Sequence, residues 1–296
     1  MLPFTKMHGC ANDYVVVAAY EGELAARFAG AAADQIEPLA RRLCDRRTGV
    51  GADGFVVVVR ETRPDSPARF EMRMHNPDGS YSPMCGNALR CVAKHLIDSG
   101  AAPGDEVVVR TGGTIAPMLA TRRDAAGRVA QIEADLGPPV LDAAAIPCRL
   151  PTSGTGRVLD APLAVGGREF RASAVSMGNP HCVLFVDEPA DDALVHGFGP
   201  QIERHGAFPE RTNTEFVYCR TRTRLVQRTW ERGAGETHAC GSGACAVAVA
   251  GVLTGRTERR VTIELLGGAL SLHWREADSH VLMTGPAVEV FRGEVD

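Results

Sequence analysis

The strongest constraint on how this chain can fold is an internal echo. Glu231–Ala250 reads ERGAGETHACGSGACAVAVA, and Asn76–Ala93 reads NPDGSYSPMCGNALRCVA. Both carry Cys-Gly followed by a small polar residue, as Cys85-Gly86-Asn87 and Cys240-Gly241-Ser242. Each cysteine follows a Gly-containing polar loop and opens a small-residue or apolar helical run. Asn76 and Glu231 stand at the same offset before their cysteines, which lie about half a chain apart. The pattern predicts a duplicated half-site, with one thiol per half meeting across one cleft.

The surrounding pattern supports duplication. Tyr14–Ala18 reads as a strand after the loop His8–Asp13, and Cys182–Asp187 reads as a strand after Ser176–His181. In the first half, helical periodicity covers Gln35–Arg46, and Thr48–Gly54 stops it. Phe55–Arg60 and Arg69–Met74 read as strands, the second half-buried by its alternation. Leu89, Val92, Ala93, Leu96 and Ile97 fall on one helical face, capped at Gly100. Glu106–Arg110 and Val129–Ala134 follow as strands. From about Arg128 the pattern begins again, with a short helix at Gln201–Arg204 and strands at Glu215–Cys219 and Arg224–Trp230. Ala244–Leu253 is apolar nearly all round, so it is a buried helix. Four short strands from Val261 to Phe291 close the chain. A helix apolar on most faces needs cover on most faces, which a curled sheet provides. The fold class is therefore α/β (α+β): two pseudo-symmetric halves, each a curled, mostly antiparallel sheet or barrel around a central helix.

Composition narrows the function. The 296 residues are 45% hydrophobic with net charge −4, which leaves no basic footprint for nucleic acid. No apolar run reaches membrane-helix length, and MLPFTKMHGC lacks a signal-peptide core. Nine scattered cysteines fit reduced thiols, so a cytoplasmic location is expected.

A cysteine at a helix N-terminus has its thiolate favoured by the dipole and free amides. A thiolate acts as a general base and a thiol as a general acid. Two thiols on opposite sides of one carbon can invert a stereocentre without redox change. The amides after each cysteine would hold a carboxylate beside that carbon. Pyridoxal chemistry needs a lysine, and the chain has only Lys6 and Lys94, so a cofactor-free route is expected.

The other cysteines read differently. Cys91, Cys182, Cys219 and Cys245 sit in apolar strands or helices and read as small buried hydrophobes, as do Cys10, Cys44 and Cys148. Cysteine spacings along the two helices are not tight zinc pairs, so no metal site is expected. His8 and His181, each near an Asn, read as polar site lining. Gly49–Gly54 reads as a turn and not a phosphate loop, because it follows a helix.

These residues resemble the diaminopimelate epimerase family. The matching pieces are Met7-His8-Gly9 with Asn12-Asp13-Tyr14, Gly49–Gly54, Asn76–Ser80 and Met84–Asn87. The second half adds Ser176–His181, Pro209–Asn213, Glu231–Thr237, Ala239–Gly243 and Met283–Ala287. The resemblance implies a cofactor-independent isomerase that interconverts LL- and meso-diaminopimelate, usually as a homodimer. It implies domains of 1–127 with 285–296, and 128–284. Carried over by motif, Cys85 and Cys240 are the acid/base pair. Asn12, Gly86, Asn87, Gly241 and Ser242 surround the reacting centre. Asn76, Asn179, Asn213 and Arg232 hold the distal amino-acid group, and Glu231 and His181 tune the thiols, Glu231 also counting among the substrate contacts. Phe291 lies in the returning segment that helps the dimer contact. The family often has Leu-Gly or similar at Cys10-Ala11, sometimes a substrate-contacting Gln at Gly54, and sometimes Tyr at Phe291.

Three rivals remain at this stage, one of them a non-catalytic amino-acid-binding protein, in which the second thiol would have no purpose. Proline and hydroxyproline racemases also use two thiols, but their substrates lack a distal arm for Asn179, Asn213 and Arg232. A thiol-disulfide redox protein would use the same two cysteines differently.

Overall fold

The computed structural model describes residues 1–30 and 33–296. Its elements run, in order, β1 (Leu2–Gly9), β2 (Asn12–Ala19), α1 (Gly22–Phe28), α2 (Ala33–Cys44), β3 (Gly54–Arg60), β4 (Phe70–His75), β5 (Tyr81–Ser82), α3 (Gly86–Asp98), β6 (Glu106–Thr111), β7 (Thr114–Arg123) and β8 (Val129–Asp135). There follow β9 (Ala161–Val165), β10 (Arg168–Ser176), β11 (Pro180–Val186), α4 (Asp192–Glu203), β12 (Asn213–Cys219), β13 (Arg224–Glu231), β14 (Gly235–Glu236), α5 (Gly241–Leu253), β15 (Arg260–Leu265), β16 (Gly268–Trp274), β17 (Val281–Pro286) and β18 (Val288–Val295). Two compact units form, Met1–Asp135 with Thr284–Asp296, and Leu136–Met283. The first seam falls after β8, beyond the boundary at 127/128 read from the sequence. The reason is that β8 pairs antiparallel with β7 and so closes the first sheet.

The two units repeat one topology. In the first, β1 and β2 are antiparallel, β3 lies parallel to β2, β4 antiparallel to β3, and β6 parallel to β4. In the second, β10 and β11 are antiparallel, β12 lies parallel to β11, β13 antiparallel to β12, and β15 parallel to β13. One helix lies between the fourth and fifth strands of each series: α3 packs against β1, β2, β4, β6, β7, β8 and β18, and α5 against β10, β11, β12, β15 and β16. Strands on so many sides explain the burial. From Gly243 to Gly251 every residue of α5 is buried. In α3 burial goes beyond the single face read from periodicity, and takes in Arg90 and Lys94.

Three local readings change. The segment His8–Asp13 is a tight hairpin and not a loop: Gly9 pairs with Asn12 around Cys10 and Ala11. Both turn residues have positive φ, 52° and 63°, as a two-residue turn matched to strand twist requires. Glycine would adopt this without strain; here the burial of Cys10 holds it. The helix near Gln201 is longer, starting after Asp191, whose carboxylate caps Leu194 N at 2.8 Å. Gly197, Gly199 and Pro200 hid its first two turns. Finally, β1, α1, β5, β7, β9, β10 and β14 had no assignment from the sequence. No helix among the described residues is long and apolar enough to cross a membrane.

Candidate active site

In the first unit, Cys85 is the residue before α3, in extended conformation (φ −149°, ψ 108°). Its carbonyl accepts the amide of Leu89 at 3.0 Å, so the helix begins on it. Its Sγ lies 3.2 Å from the hydroxyl of Tyr14, which is fully buried in β2. Burial, followed by the neighbouring Cys85 charge, holds the Tyr14 phenol well above its usual range. Tyr14 therefore keeps its proton, within hydrogen-bond reach of the Cys85 sulfur.

Behind the helix start sits Arg90, which has no exposed surface. Its guanidinium donates to Asn87 Oδ1, to Gly86 O at 3.3 Å and to Pro286 O at 3.3 Å, and reaches Cys10 Sγ at 3.8 Å. A guanidinium only donates, so the Asn87 oxygen must face it and the Asn87 NH₂ must face away. Asn12 opens β2, and Asn76 follows β4 and donates to Ser80 Oγ at 2.9 Å. Ser80 in turn bonds Asp78, which fixes that loop.

In the second unit, Cys240 is the residue before α5, again extended (φ −105°, ψ 105°), with its Sγ 3.6 Å from Ser242 Oγ. It is buried at 4% exposure. His181 Nδ1 stands 2.8 Å from Glu215 Oε1, and its Nε2 3.0 Å from Asn179 Oδ1. Glu231 accepts the Thr237 hydroxyl and bonds Cys240. Burial, then the charges of Glu231 and Glu215, push the Cys240 thiol well above its usual range; the Gly243 amide and Ser242 hydroxyl pull the other way. The helix-favoured thiolate expected from sequence is thus overturned at Cys240. The amide contribution is present, but desolvation and two carboxylates outweigh it. Burial likewise raises Glu231.

Asn213 is committed inside the protein. It donates to Pro180 O at 2.9 Å and accepts the backbone amide of Arg232 at 2.9 Å. The exposed Arg232 side chain reaches Glu210 O at 3.2 Å. Gly241 packs against Met283, where a Cβ would meet the sulfur at 3.1 Å. At Gly243 a Cβ would stand 2.6 Å from Glu215 Oε1 and 3.3 Å from Cys240 Sγ. Phe291 is exposed on β18 and stacks edge-on with Phe4 at 5.9 Å.

Four residues of these surroundings carried no role in the sequence reading: Tyr14, Arg90, Glu215 and Gly243. One signal could have found Tyr14. Tyr14 pairs with Gly54 as the first partner of β2 with β3, and His181 pairs with Asn213 as the first partner of β11 with β12. The two side chains hold the same place in the repeat, and each comes near the cysteine of its own unit. Cys91, Cys182 and Cys245 are buried as expected, whereas Cys219 is only half-buried.

This fold is that of solved amino-acid racemases and epimerases. A probable proline racemase from Agrobacterium radiobacter K84 superposes with a TM-score of 0.70 at 14% identity, covering 100% of this chain and 93% of that one. A hydroxyproline epimerase from Agrobacterium vitis gives 0.68 at 17% identity, covering 99% and 90%. In sequence the similarity is much nearer. The profile of the family described as diaminopimelate epimerase matches residues 4–141 and 173–290. Diaminopimelate epimerase of Moorella thermoacetica is 48% identical over 98% of each chain, and that of Pelotomaculum thermopropionicum 47% identical over 98% of each. The chain belongs to the diaminopimelate epimerase family and is an isomerase.

Proposed function

We propose that this chain interconverts LL- and meso-2,6-diaminopimelate without a cofactor, in the supply of lysine and peptidoglycan precursors. The observation that carries this reading is the repeated placement of a cysteine at the N-terminus of the helix that each unit's strands enclose. In the reaction one thiolate takes the α-proton and the other thiol delivers a proton to the opposite side. The backbone amides after Cys85 and Cys240, with the Asn87 side chain, bind the α-carboxylate and the charge that builds on it. Gly86, Gly241, Ser242 and Asn12 line that centre. Cys240 starts as the acid, because its surroundings keep it protonated; Tyr14 supports Cys85 as the base. Glu231 and His181 adjust Cys240 through their contacts with it and with Glu215.

The distal amino-acid group is held by Asn76, Asn179 and Arg232. Asn213 acts through Arg232, whose backbone it fixes. The lysines are unsuited to an aldehyde cofactor: Lys6 pairs with Asp13 at 2.7 Å, and Lys94 with Asp98 at 2.7 Å. The enzyme works in the cytoplasm as a homodimer. Val288, Val290 and Phe291 on β18 are 40–54% exposed and support that contact, since a strand carrying apolar side chains invites a partner.

The deciding experiment is solvent-deuterium uptake at the α-carbon. Diaminopimelate is expected to exchange and proline not, and Cys85→Ala and Cys240→Ala each to stop catalysis. Preferred exchange on proline would replace this reading with the racemase one.

A further inference from the structure

Three donors of the second unit converge. His181, Glu215 and Cys240 each offer one ligand atom, and these atoms lie within 4.8 Å of one another. They come from three different elements, β11, β12 and the start of α5, and all three side chains are buried. Imidazole, carboxylate and thiolate are all zinc ligands, and three protein ligands plus one open position is the pattern of a reactive zinc site. Around a tetrahedral zinc the ligand atoms stand roughly 3.3–3.6 Å apart. The nitrogen and oxygen of His181 and Glu215 are already at 2.8 Å, so small side-chain rotations suffice.

One further observation points to a ligand. Glu215 Oε2 is buried and has no hydrogen-bond partner among the described residues. A buried carboxylate oxygen without a partner is costly, and a cation would satisfy it.

We propose that His181, Glu215 and Cys240 bind a soft divalent cation of the zinc type, and that its binding switches off the thiol chemistry of Cys240. The exchange balances as follows. The ion replaces the proton between His181 Nδ1 and Glu215 Oε1 and the thiol proton of Cys240. Two protons leave to solvent as one divalent ion enters. The charged groups facing the thiol are Glu231 at the end of β13, Glu215 on β12 and His181 on β11. The carboxylates of Glu215 and Glu231 beside the thiol equally favour a cation there. Affinity therefore rises with pH, because protons compete for the same atoms.

A second cluster provides an internal control. Asp192, His196 and Glu236 also come within 4.8 Å, but on the surface. There Arg228 already occupies both carboxylates, at 2.7 Å from Asp192 and 2.7 Å from Glu236. The buried cluster should bind the ion and the surface cluster should not.

The binding does not rest on the epimerase reading; only its inhibitory consequence does. The test uses full-length protein, reduced with a phosphine and free of oxygen, with Co²⁺ as spectroscopic probe and Zn²⁺ as competitor. One Co²⁺ per chain is expected, with thiolate-to-metal absorption in the near ultraviolet that Zn²⁺ abolishes. The band is expected to disappear in Cys240→Ala and in the closer isostere Cys240→Ser, and to persist in Cys85→Ala and His196→Ala. Even outer partners of metal ligands are worth roughly 10–100-fold in affinity, so Glu215→Gln should weaken binding by at least about tenfold. Absence of a thiolate band in wild type, its survival in both Cys240 variants, or its loss in His196→Ala would overturn the site. In parallel, Zn²⁺ is expected to suppress α-proton exchange and a chelator to restore it. Stoichiometric binding with exchange unaffected would overturn the inhibitory part. A metal-free protein with no exchange on any amino acid would instead overturn the epimerase reading and leave the binding result standing.

Discussion

His181 Nδ1 lies 2.8 Å from Glu215 Oε1, with both side chains completely buried and Cys240 beside them. The matching strand position of the first unit carries no carboxylate. Glu215 is the third residue of β12, and the matching third residue of β3 is Val56. The two thiols therefore sit in unlike surroundings despite the shared topology. Cys240 has two acids and an imidazole, and Cys85 has a phenol.

Glu215→Gln removes one of the charges that hold the Cys240 thiol up and keeps the side-chain shape. The pH midpoint for alkylation of Cys240, followed by mass spectrometry, is expected to move down. Turnover should fall roughly 10–100-fold, from about 1.5–3 kcal/mol of lost charge-assisted bonding to His181. A merely structural role for Glu215 would lower turnover without moving the alkylation midpoint.

Tyr14→Phe removes the hydroxyl 3.2 Å from Cys85 Sγ and nothing else. One hydrogen bond of about 1 kcal/mol corresponds to about a fivefold slower reaction. Alkylation of Cys85 should slow by the same factor and that of Cys240 stay unchanged. Equal effects on both thiols would remove Tyr14 from its assigned place.

At Gly243→Ala two effects oppose. An alanine in a helix interior is favoured over glycine by about 1 kcal/mol. The added methyl would meet Glu215 Oε1 at 2.6 Å, inside any normal contact, and overpacking of this kind costs about 1–3 kcal/mol. The clash wins, because the carboxylate is buried and tied to His181. A net loss of up to about 2 kcal/mol in denaturant unfolding is expected, with turnover falling further than Tyr14→Phe.

Arg90→Lys keeps the charge but cannot span Asn87, Gly86 and Pro286 at once, since the planar fork is lost. Leaving two buried acceptors unpaired costs about 2–4 kcal/mol. Thermal unfolding should shift down accordingly. Freed from the guanidinium, Asn87 should also turn, raising KM for the amino acid more than kcat changes.

The sequence by itself determined the repeat, the two thiols and the enclosed helices. Cys85-Gly86-Asn87 and Cys240-Gly241-Ser242 mark both helix starts, and the small apolar run Ala244–Leu253 has no polar side to offer water, so its enclosure could be read directly. The strand Phe55–Arg60 was legible for the same local reason. The hairpin at Cys10-Ala11 was not, because its turn uses two residues without the usual glycine or asparagine signal, and the burial that stabilises them comes from distant packing. The first turns of α4 were hidden by Gly197, Gly199 and Pro200; Gly199 is required where Trp230 packs, at 2.7 Å from a notional Cβ. The state of Cys240 was likewise beyond local reading. The sequence shows the helix N-terminus that favours a thiolate, but Glu215 and Glu231 come from two other strands. Only tertiary packing brings their charges, and the exclusion of water, to the sulfur, and long-range desolvation then outweighs the local helix field.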